Sequence, residues 1–120
     1  MYPTLLSLLR PRTNPKGATL LGWHAEGPFL QAAKRGAHAP VLIQSPSKGF
    51  VSFEETYGTE NLAAKEDWLM DGGDPLGVRI ITAAPEINGV LDAVCDLHQR
   101  GILFSIGHRY ISRSPMPFAC

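Results

Sequence analysis

Two residues of the sequence, Glu26 and His108, have side chains that bind metal ions, and each lies beside a glycine next to an apolar segment. An acidic side chain at Glu26 is costly to bury unless it is paired or bound to a metal. A neutral imidazole at His108 can bind a transition metal through one ring nitrogen. A capping or ion-paired role for Glu26, and an ordinary hydrogen-bonded role for His108, are the alternatives.

Three further polar residues accompany this pair. His24 lies two positions before Glu26, so in a strand both side chains face the same side. It either orients the carboxylate or packs as an ordinary strand residue. His38 ends the basic segment Lys-Arg-Gly-Ala-His at 34–38, which suits an anionic or hydroxylated ligand but is also typical of a solvated loop. Glu86 fits the first turn of a helix, where it would balance the helix dipole.

The apolar pattern predicts the elements that position these residues. Three strands are expected, at 18–24, 78–84 and 102–106. The first is nearly continuous in apolar residues, which favours a strand buried on both faces. Helical segments are expected at 4–10, in part of 50–67 with a break at Gly58, and from 87 to the stop at Gly101. This alternation predicts an α/β fold with a parallel sheet, in which chemistry gathers at the carboxyl ends of the strands.

Composition and charge exclude several classes of protein. The 120 residues include 11 basic and 11 acidic side chains, without the basic stripe of a nucleic-acid binder. No apolar stretch approaches the roughly 20 residues that cross a bilayer, and a signal peptide is not indicated. The two cysteines, Cys95 and Cys120, do not make a disulfide scaffold and are expected to be free thiols. We therefore expect a cytoplasmic protein with neither a nucleic-acid nor a membrane partner.

Four segments together resemble the N-acetylglucosamine-6-phosphate deacetylase family of the amidohydrolase superfamily. They are Gly-Trp-His-Ala-Glu-Gly-Pro-Phe-Leu at 22–30, Lys-Arg-Gly-Ala-His at 34–38, Thr-Ala-Ala-Pro-Glu at 82–86 and Ser-Ile-Gly-His at 105–108. Each segment alone is a weak signal, but their order is that of the family. The resemblance ends at His108, and residues 109–120 read as an unaligned tail.

The resemblance implies that residues 1–108 are an internal fragment of a (β/α)8 TIM-type barrel, with about three parallel strands and intervening helices. It also implies hydrolysis of the acetamide of N-acetylglucosamine 6-phosphate to glucosamine 6-phosphate and acetate, and a homodimer. Glu26 and His108 would hold a divalent metal, with zinc expected and iron or another ion as alternatives. The sugar phosphate would meet Ala37 and His38. Residues that support the ligands would be His24 and Glu86.

The family has a third histidine ligand and a proton-transferring aspartate that this sequence does not include. A catalytic metal site needs about three protein ligands and an open position. The resemblance therefore implies little activity for the chain alone. Two alternatives stay open: a non-catalytic α/β module that binds a sugar phosphate, and a metal-dependent amidohydrolase that acts on another amide.

Overall fold

The chain folds around a three-stranded parallel sheet. The computed structural model describes residues 15–18, 21–62 and 77–110. The strands lie in the order β1-β2-β3 and comprise β1 at Trp23–Glu26, β2 at Val78–Ala83 and β3 at Leu103–Ile106. Both neighbouring pairs are parallel. The predicted α/β fold with three parallel strands is confirmed, whereas the closed barrel stays a prediction.

Two α-helices pack against one face of this sheet. Helix α1 spans Phe50–Tyr57 in the connection from β1 to β2, and helix α2 spans Val90–Gln99 between β2 and β3. Three short 3-10 helices lie at Ala32–Lys34, Pro40–Leu42 and Thr59–Asn61. The helices and the sheet share a core whose largest buried side chains include Phe29, Phe53, Tyr57, Ile81 and Leu97. Burial of these apolar groups is the main term that holds the helices to the sheet.

The other face of the sheet carries polar side chains at its carboxyl end. His24 pairs with Ile80, and Glu26 pairs with Thr82, while Ala25 between them points into the core. His24 and Glu26 are exposed. The prediction that the first strand is buried on both faces is therefore wrong for β1, because the described helices cover the side that Ala25 faces and leave His24 and Glu26 exposed.

Several element boundaries differ from the prediction, among them the end of β1 and the start of α2. The first strand was expected to end at residue 24, but β1 continues to Glu26 because that residue pairs with Thr82. Helix α2 begins at Val90 rather than at residue 87, since a turn precedes it and ends at Gly89 with φ of 87°. A Cβ atom on Gly89 would lie 1.9 Å from the carbonyl oxygen of Pro46, so this turn requires glycine.

Several expectations concern other parts of the chain. Cys95 forms a disulfide bond, so the prediction of a free thiol there is wrong; the apolar helical pattern around Cys95 carries no information about its oxidation state. The predicted helix at 4–10 and residues 111–120 of the tail lie outside the described residues. Within the described ranges, no helix has both the length and the apolar character that a bilayer crossing requires.

Candidate metal centre

Glu26 and His108 meet at the carboxyl end of the sheet, on either side of β2. Glu26 is the last residue of β1, and His108 lies two residues after β3. Hydrogen bonding to β2 continues for one residue after the end of β1 and one residue after the end of β3. The Gly27 N–H donates to the Thr82 carbonyl at 3.0 Å, and the Gly107 N–H donates to the Ala83 carbonyl at 3.1 Å. These two bonds hold both chain segments to the central strand, so the neighbouring side chains converge.

The imidazole of His108 is held in one orientation by two partners. Its Nδ1 lies 2.7 Å from the Lys34 carbonyl oxygen, and its Nε2 lies 2.5 Å from Glu26 Oε1. A carbonyl oxygen only accepts hydrogen bonds, so Nδ1 carries a proton. The Nε2 position is then the one that exchanges a proton for a metal, and it faces the carboxylate. A backbone carbonyl behind a ligand histidine is a common device for fixing the ring and its tautomer.

The pKa values of this pair shift in opposite directions. The hydrogen bond from His108 lowers the pKa of the Glu26 carboxyl, although partial burial opposes that shift. The pKa of the His108 imidazole is raised, first by its bond to the Lys34 carbonyl and then by its bond to Glu26. Both shifts favour the charged forms, a carboxylate beside an imidazolium, and a metal has to displace the Nε2 proton to bind.

His38 lies against the same two residues. Its Nε2 is 3.9 Å from Glu26 Oε2, and its ring meets the His108 ring edge to face, with centroids 5.2 Å apart. The backbone of this loop is closed on itself, because the His38 N–H donates to the Arg35 carbonyl and the Arg35 guanidinium donates back to the His38 carbonyl. Arg35 also donates to the Ala32 carbonyl at 3.0 Å. Its guanidinium thus holds the loop together.

The remaining predicted site residues lie around this group. His24 Nε2 is 2.7 Å from Thr82 Oγ1, so this imidazole bonds to the neighbouring strand rather than to the Glu26 carboxylate. Ala37 is exposed in the turn that precedes His38. Glu86 accepts the backbone N–H of Tyr110 at 2.7 Å. The interpretation of Glu86 as a first-turn helix residue is wrong, because α2 begins four residues later.

Two parts of the site were not predicted from the sequence. The segment 31–34 is tied to the segment 108–110 by the Lys34 carbonyl bond to His108 and by the Gln31 N–H, which donates to the His108 carbonyl at 3.1 Å. The Lys34 ammonium also lies 5.3 Å from the centre of the Tyr110 ring. The second part that was not predicted is Thr82, which contacts His24. The Lys34 and Thr82 contacts involve partners 74 and 58 positions away, so no local pattern signals them.

The donor atoms of this cluster suit a divalent transition metal. One carboxylate oxygen and two imidazole nitrogens, from Glu26, His38 and His108, all lie within 4.8 Å of one another. Histidine nitrogen and carboxylate oxygen are common zinc ligands and also bind iron. The residues present therefore fit the metal that the resemblance implies.

Comparison with known proteins bears out the resemblance, although no family model matches the chain. An N-acetylglucosamine-6-phosphate deacetylase of Danio rerio is 38% identical over 96 residues, which are 78% of this chain and 20% of that protein. The deacetylase of Caenorhabditis elegans is 36% identical over 118 residues, covering 95% of this chain and 24% of the relative. The chain thus spans about a fifth to a quarter of these relatives' length.

Solved structures show the same similarity to deacetylases. The crystal structure of N-acetyl-D-glucosamine-6-phosphate deacetylase from Mycobacterium smegmatis matches with a TM-score of 0.51 and 31% identity, over 73% of this chain and 19% of that chain. A mutant of the same enzyme in complex with N-acetyl-D-glucosamine-6-phosphate matches with the same TM-score and 32% identity. The chain is therefore similar in both sequence and fold to one segment of these deacetylases.

Proposed function

We propose that this chain is the segment of an N-acetylglucosamine-6-phosphate deacetylase that provides two metal ligands, Glu26 and His108, and part of the sugar site. The observation that carries the proposal is the 2.5 Å approach of His108 Nε2 to the Glu26 carboxylate, with Nδ1 fixed by the Lys34 carbonyl. The similarity to deacetylases over most of this chain supports the same assignment.

The proposed metal is zinc, with iron as the alternative, because one imidazole nitrogen and one carboxylate oxygen suit both ions. Such a metal, when bound, provides Lewis-acid activation of an amide carbonyl and of water. The chain's own part is to hold the ligands in place. Glu26 is fixed by strand pairing, and the ring of His108 by the Lys34 carbonyl.

The sugar-binding part of the proposal concerns Ala37 and His38. The turn that contains them lies against the metal ligands, and the His38 imidazole has ring nitrogens that can bond a sugar hydroxyl. The Mycobacterium smegmatis enzyme, which this chain resembles, has been solved with N-acetyl-D-glucosamine-6-phosphate bound. The proposed ligand of this turn is therefore the same amino-sugar phosphate.

A zinc titration of the full chain by calorimetry tests the metal site. We expect one zinc per chain, with affinity that falls at least about tenfold in Glu26→Gln and in His108→Asn, as loss of metal-site residues typically does. The matched controls are Glu55→Gln and His98→Asn, which remove exposed side chains of the same types elsewhere. Zinc binding that is absent, or equally tight in all five proteins, would overturn the proposal.

Acetate release from N-acetylglucosamine 6-phosphate tests the reaction. The zinc-loaded chain should bind the sugar phosphate, and Glu26→Gln should not bind it in a zinc-dependent way. Turnover is expected to be far below that of the Mycobacterium smegmatis enzyme, because a hydrolytic zinc site usually has about three protein ligands and the proposed pair provides two. Zinc-dependent binding of an unrelated amide in preference to the sugar phosphate would favour a different amidohydrolase instead.

Assembly and location form the last part of the proposal. A homodimer is what the resemblance implies, and a cytoplasmic location is what the composition predicts; both stay predictions. Native mass spectrometry of the purified chain checks the first, and fractionation of cells that express it checks the second.

A further inference from the structure

We propose that Arg35 is a positioning residue for the ligand His108, because its guanidinium locks the segment 31–38, whose backbone holds the imidazole of His108. The inference rests on the metal site proposed above and adds to it a residue that does not touch the metal. Arg35 would act on the site through two backbone carbonyls of its own segment.

The first argument is that the Arg35 guanidinium joins two parts of this segment. Its Nη1 donates to the Ala32 carbonyl at 3.0 Å, and its Nε donates to the His38 carbonyl at 3.1 Å. The first carbonyl belongs to the 3-10 helix Ala32–Lys34, and the second ends the turn that follows this helix. A planar guanidinium presents its N–H groups in a fixed fork, so the two bonds fix the helix and the turn relative to each other.

The second argument is that the 3-10 helix holds both the backbone and the ring of His108. The N–H of Gln31, which precedes the helix, donates to the His108 carbonyl at 3.1 Å, and the Lys34 carbonyl lies 2.7 Å from Nδ1 of the ring. The Lys34 N–H donates to the Gln31 carbonyl at 2.8 Å and closes these residues into one turn. A shift of this turn therefore moves both partners of His108 together.

The third argument is that the backbone of His108 needs such support. Among the described residues, His108 is the one residue other than glycine with a positive φ, which is 50°. This left-handed conformation is unfavourable for a residue with a Cβ atom and persists only where neighbouring contacts hold it. The segment also lies beside the ring, because a Cβ atom on Gly36 would be 3.6 Å from His108 Cε1. The orientation of His108 therefore depends on the segment 31–38 and not on β3 alone.

The competing role for Arg35 is purely electrostatic. A cation near a metal site repels the metal, so removal of the guanidinium would tighten zinc binding if charge were its only effect. A positioning role predicts the opposite sign, because the Lys34 carbonyl would no longer fix the His108 ring. The direction of the change in zinc affinity thus separates the two roles.

The direct test is a zinc titration of the full chain and two variants. We expect zinc affinity to fall at least about tenfold in Arg35→Met, as loss of an outer-shell partner typically causes. Arg35→Lys keeps the charge but not the fork and should fall in the same way. The matched control is Lys48→Met, which removes an exposed cation elsewhere and should bind zinc like the unaltered chain.

The outcomes of this titration are distinct. Zinc affinity in Arg35→Met that equals or exceeds that of the unaltered chain, while Glu26→Gln and His108→Asn lose it, overturns the inference and leaves the proposed metal site intact. Full affinity in Arg35→Lys would show that charge is sufficient, and it also overturns the inference. An unaltered chain that binds no zinc overturns both proposals.

A second measurement needs no metal. Amide hydrogen exchange at Gln31 in the metal-free full chain should be at least about tenfold faster in Arg35→Met, because the bonds that a charged group donates no longer hold the segment. Faster exchange at His38 alone would show that Arg35 holds only its own turn, and this result overturns the inference. If Arg35→Met does not fold, as judged by circular dichroism, Arg35→Lys replaces it in both measurements.

Discussion

The methyl group of Thr82 fills the space that a side chain at Gly107 would need. A Cβ atom on Gly107 would lie 2.5 Å from Thr82 Cγ2. The hydroxyl oxygen of the same threonine lies 2.7 Å from His24 Nε2, and its carbonyl accepts the Gly27 N–H. Thr82 therefore contacts the chain on both sides of β2. It meets Gly27, which follows Glu26, and Gly107, which precedes His108. The central strand provides neither ligand of the pair, yet it sets their spacing.

We expect Gly107→Ala to weaken both the fold and the metal site. The new methyl group cannot be accommodated by rotating Thr82 without breaking its bond to His24, and otherwise the end of β3 has to move away from β2. Overpacking of this kind typically costs about 1–3 kcal/mol. Urea denaturation measures the loss of unfolding free energy, and a zinc titration measures the loss of affinity.

The control for this prediction is a second substitution at the contact. Thr82→Ser removes the methyl group but keeps the hydroxyl that bonds His24. The double variant Gly107→Ala with Thr82→Ser should therefore recover most of the zinc affinity that Gly107→Ala loses. A double variant no better than the single one would show that the contact with Thr82 is not the cause.

The titration of His108 in the metal-free protein is a second prediction. Its pKa is raised above the ordinary value of 6.5, first by the bond to the Lys34 carbonyl and then by the bond to Glu26. Nuclear magnetic resonance of the histidine ring should thus show His108 titrating above that value. Glu26→Gln should lower the His108 pKa relative to the unaltered protein. Part of the upward shift should remain, because the Lys34 carbonyl still accepts a hydrogen bond from the ring. A His108 pKa that is the same in both proteins would contradict the pairing.

The same shifts give a sign for the pH dependence of stability. The raised pKa of His108 stabilises the fold below its ordinary value of 6.5, and this contribution is lost as the pH rises through the folded-state pKa. The lowered pKa of Glu26 stabilises the fold above its ordinary value of 4.5, and that contribution is lost as the pH falls. The difference in unfolding free energy between the unaltered protein and Glu26→Gln should therefore be largest between pH 4.5 and pH 6.5, the two ordinary pKa values. It should shrink at lower and at higher pH.

Support of His108 by Glu86 is a third prediction. The Glu86 carboxylate accepts the N–H of Tyr110, which lies two residues after His108. Glu86→Ala should loosen this segment and weaken zinc binding by up to about tenfold, the lower end of what outer-shell partners contribute. Glu86→Gln keeps an acceptor oxygen and should bind zinc like the unaltered protein. Faster amide exchange at Tyr110 in Glu86→Ala alone would identify the cause, whereas equal zinc affinity in all three proteins would exclude this role.

Apolar patterning predicted the elements that lie in the core. Strand β2 was expected at 78–84 and spans Val78–Ala83, because nearly all of its residues are buried and the pattern is continuous. Strand β3 and helix α2 were also found, with small changes at their ends. The end of β1 was not predicted. Glu26 is extended because it pairs with Thr82, and glutamate by itself does not favour a strand.

The site was predictable only where topology brings strand ends together. Glu26 and His108 are 82 positions apart, and their approach followed from the rule that carboxyl ends of parallel strands share one edge. The Lys34 carbonyl that fixes His108 is a backbone atom, so no side-chain motif reveals it. The bond between His24 and Thr82 depends on strand register, which the sequence did not specify.

The hydroxyl of Tyr57 is the basis of the fourth prediction. Tyr57 is buried in helix α1 and donates to the carbonyl oxygen of Gly27, the residue after Glu26, at 2.5 Å. Tyr57→Phe leaves that buried acceptor without the bond, which typically costs about 1–3 kcal/mol. We expect this loss in urea denaturation, together with weaker zinc binding because the turn after Glu26 is less restrained. The matched control is Tyr110→Phe, since 49% of Tyr110 is exposed and its loss of a hydroxyl should leave stability nearly unchanged. Equal destabilisation by the two substitutions would contradict the role assigned to the Tyr57 hydroxyl.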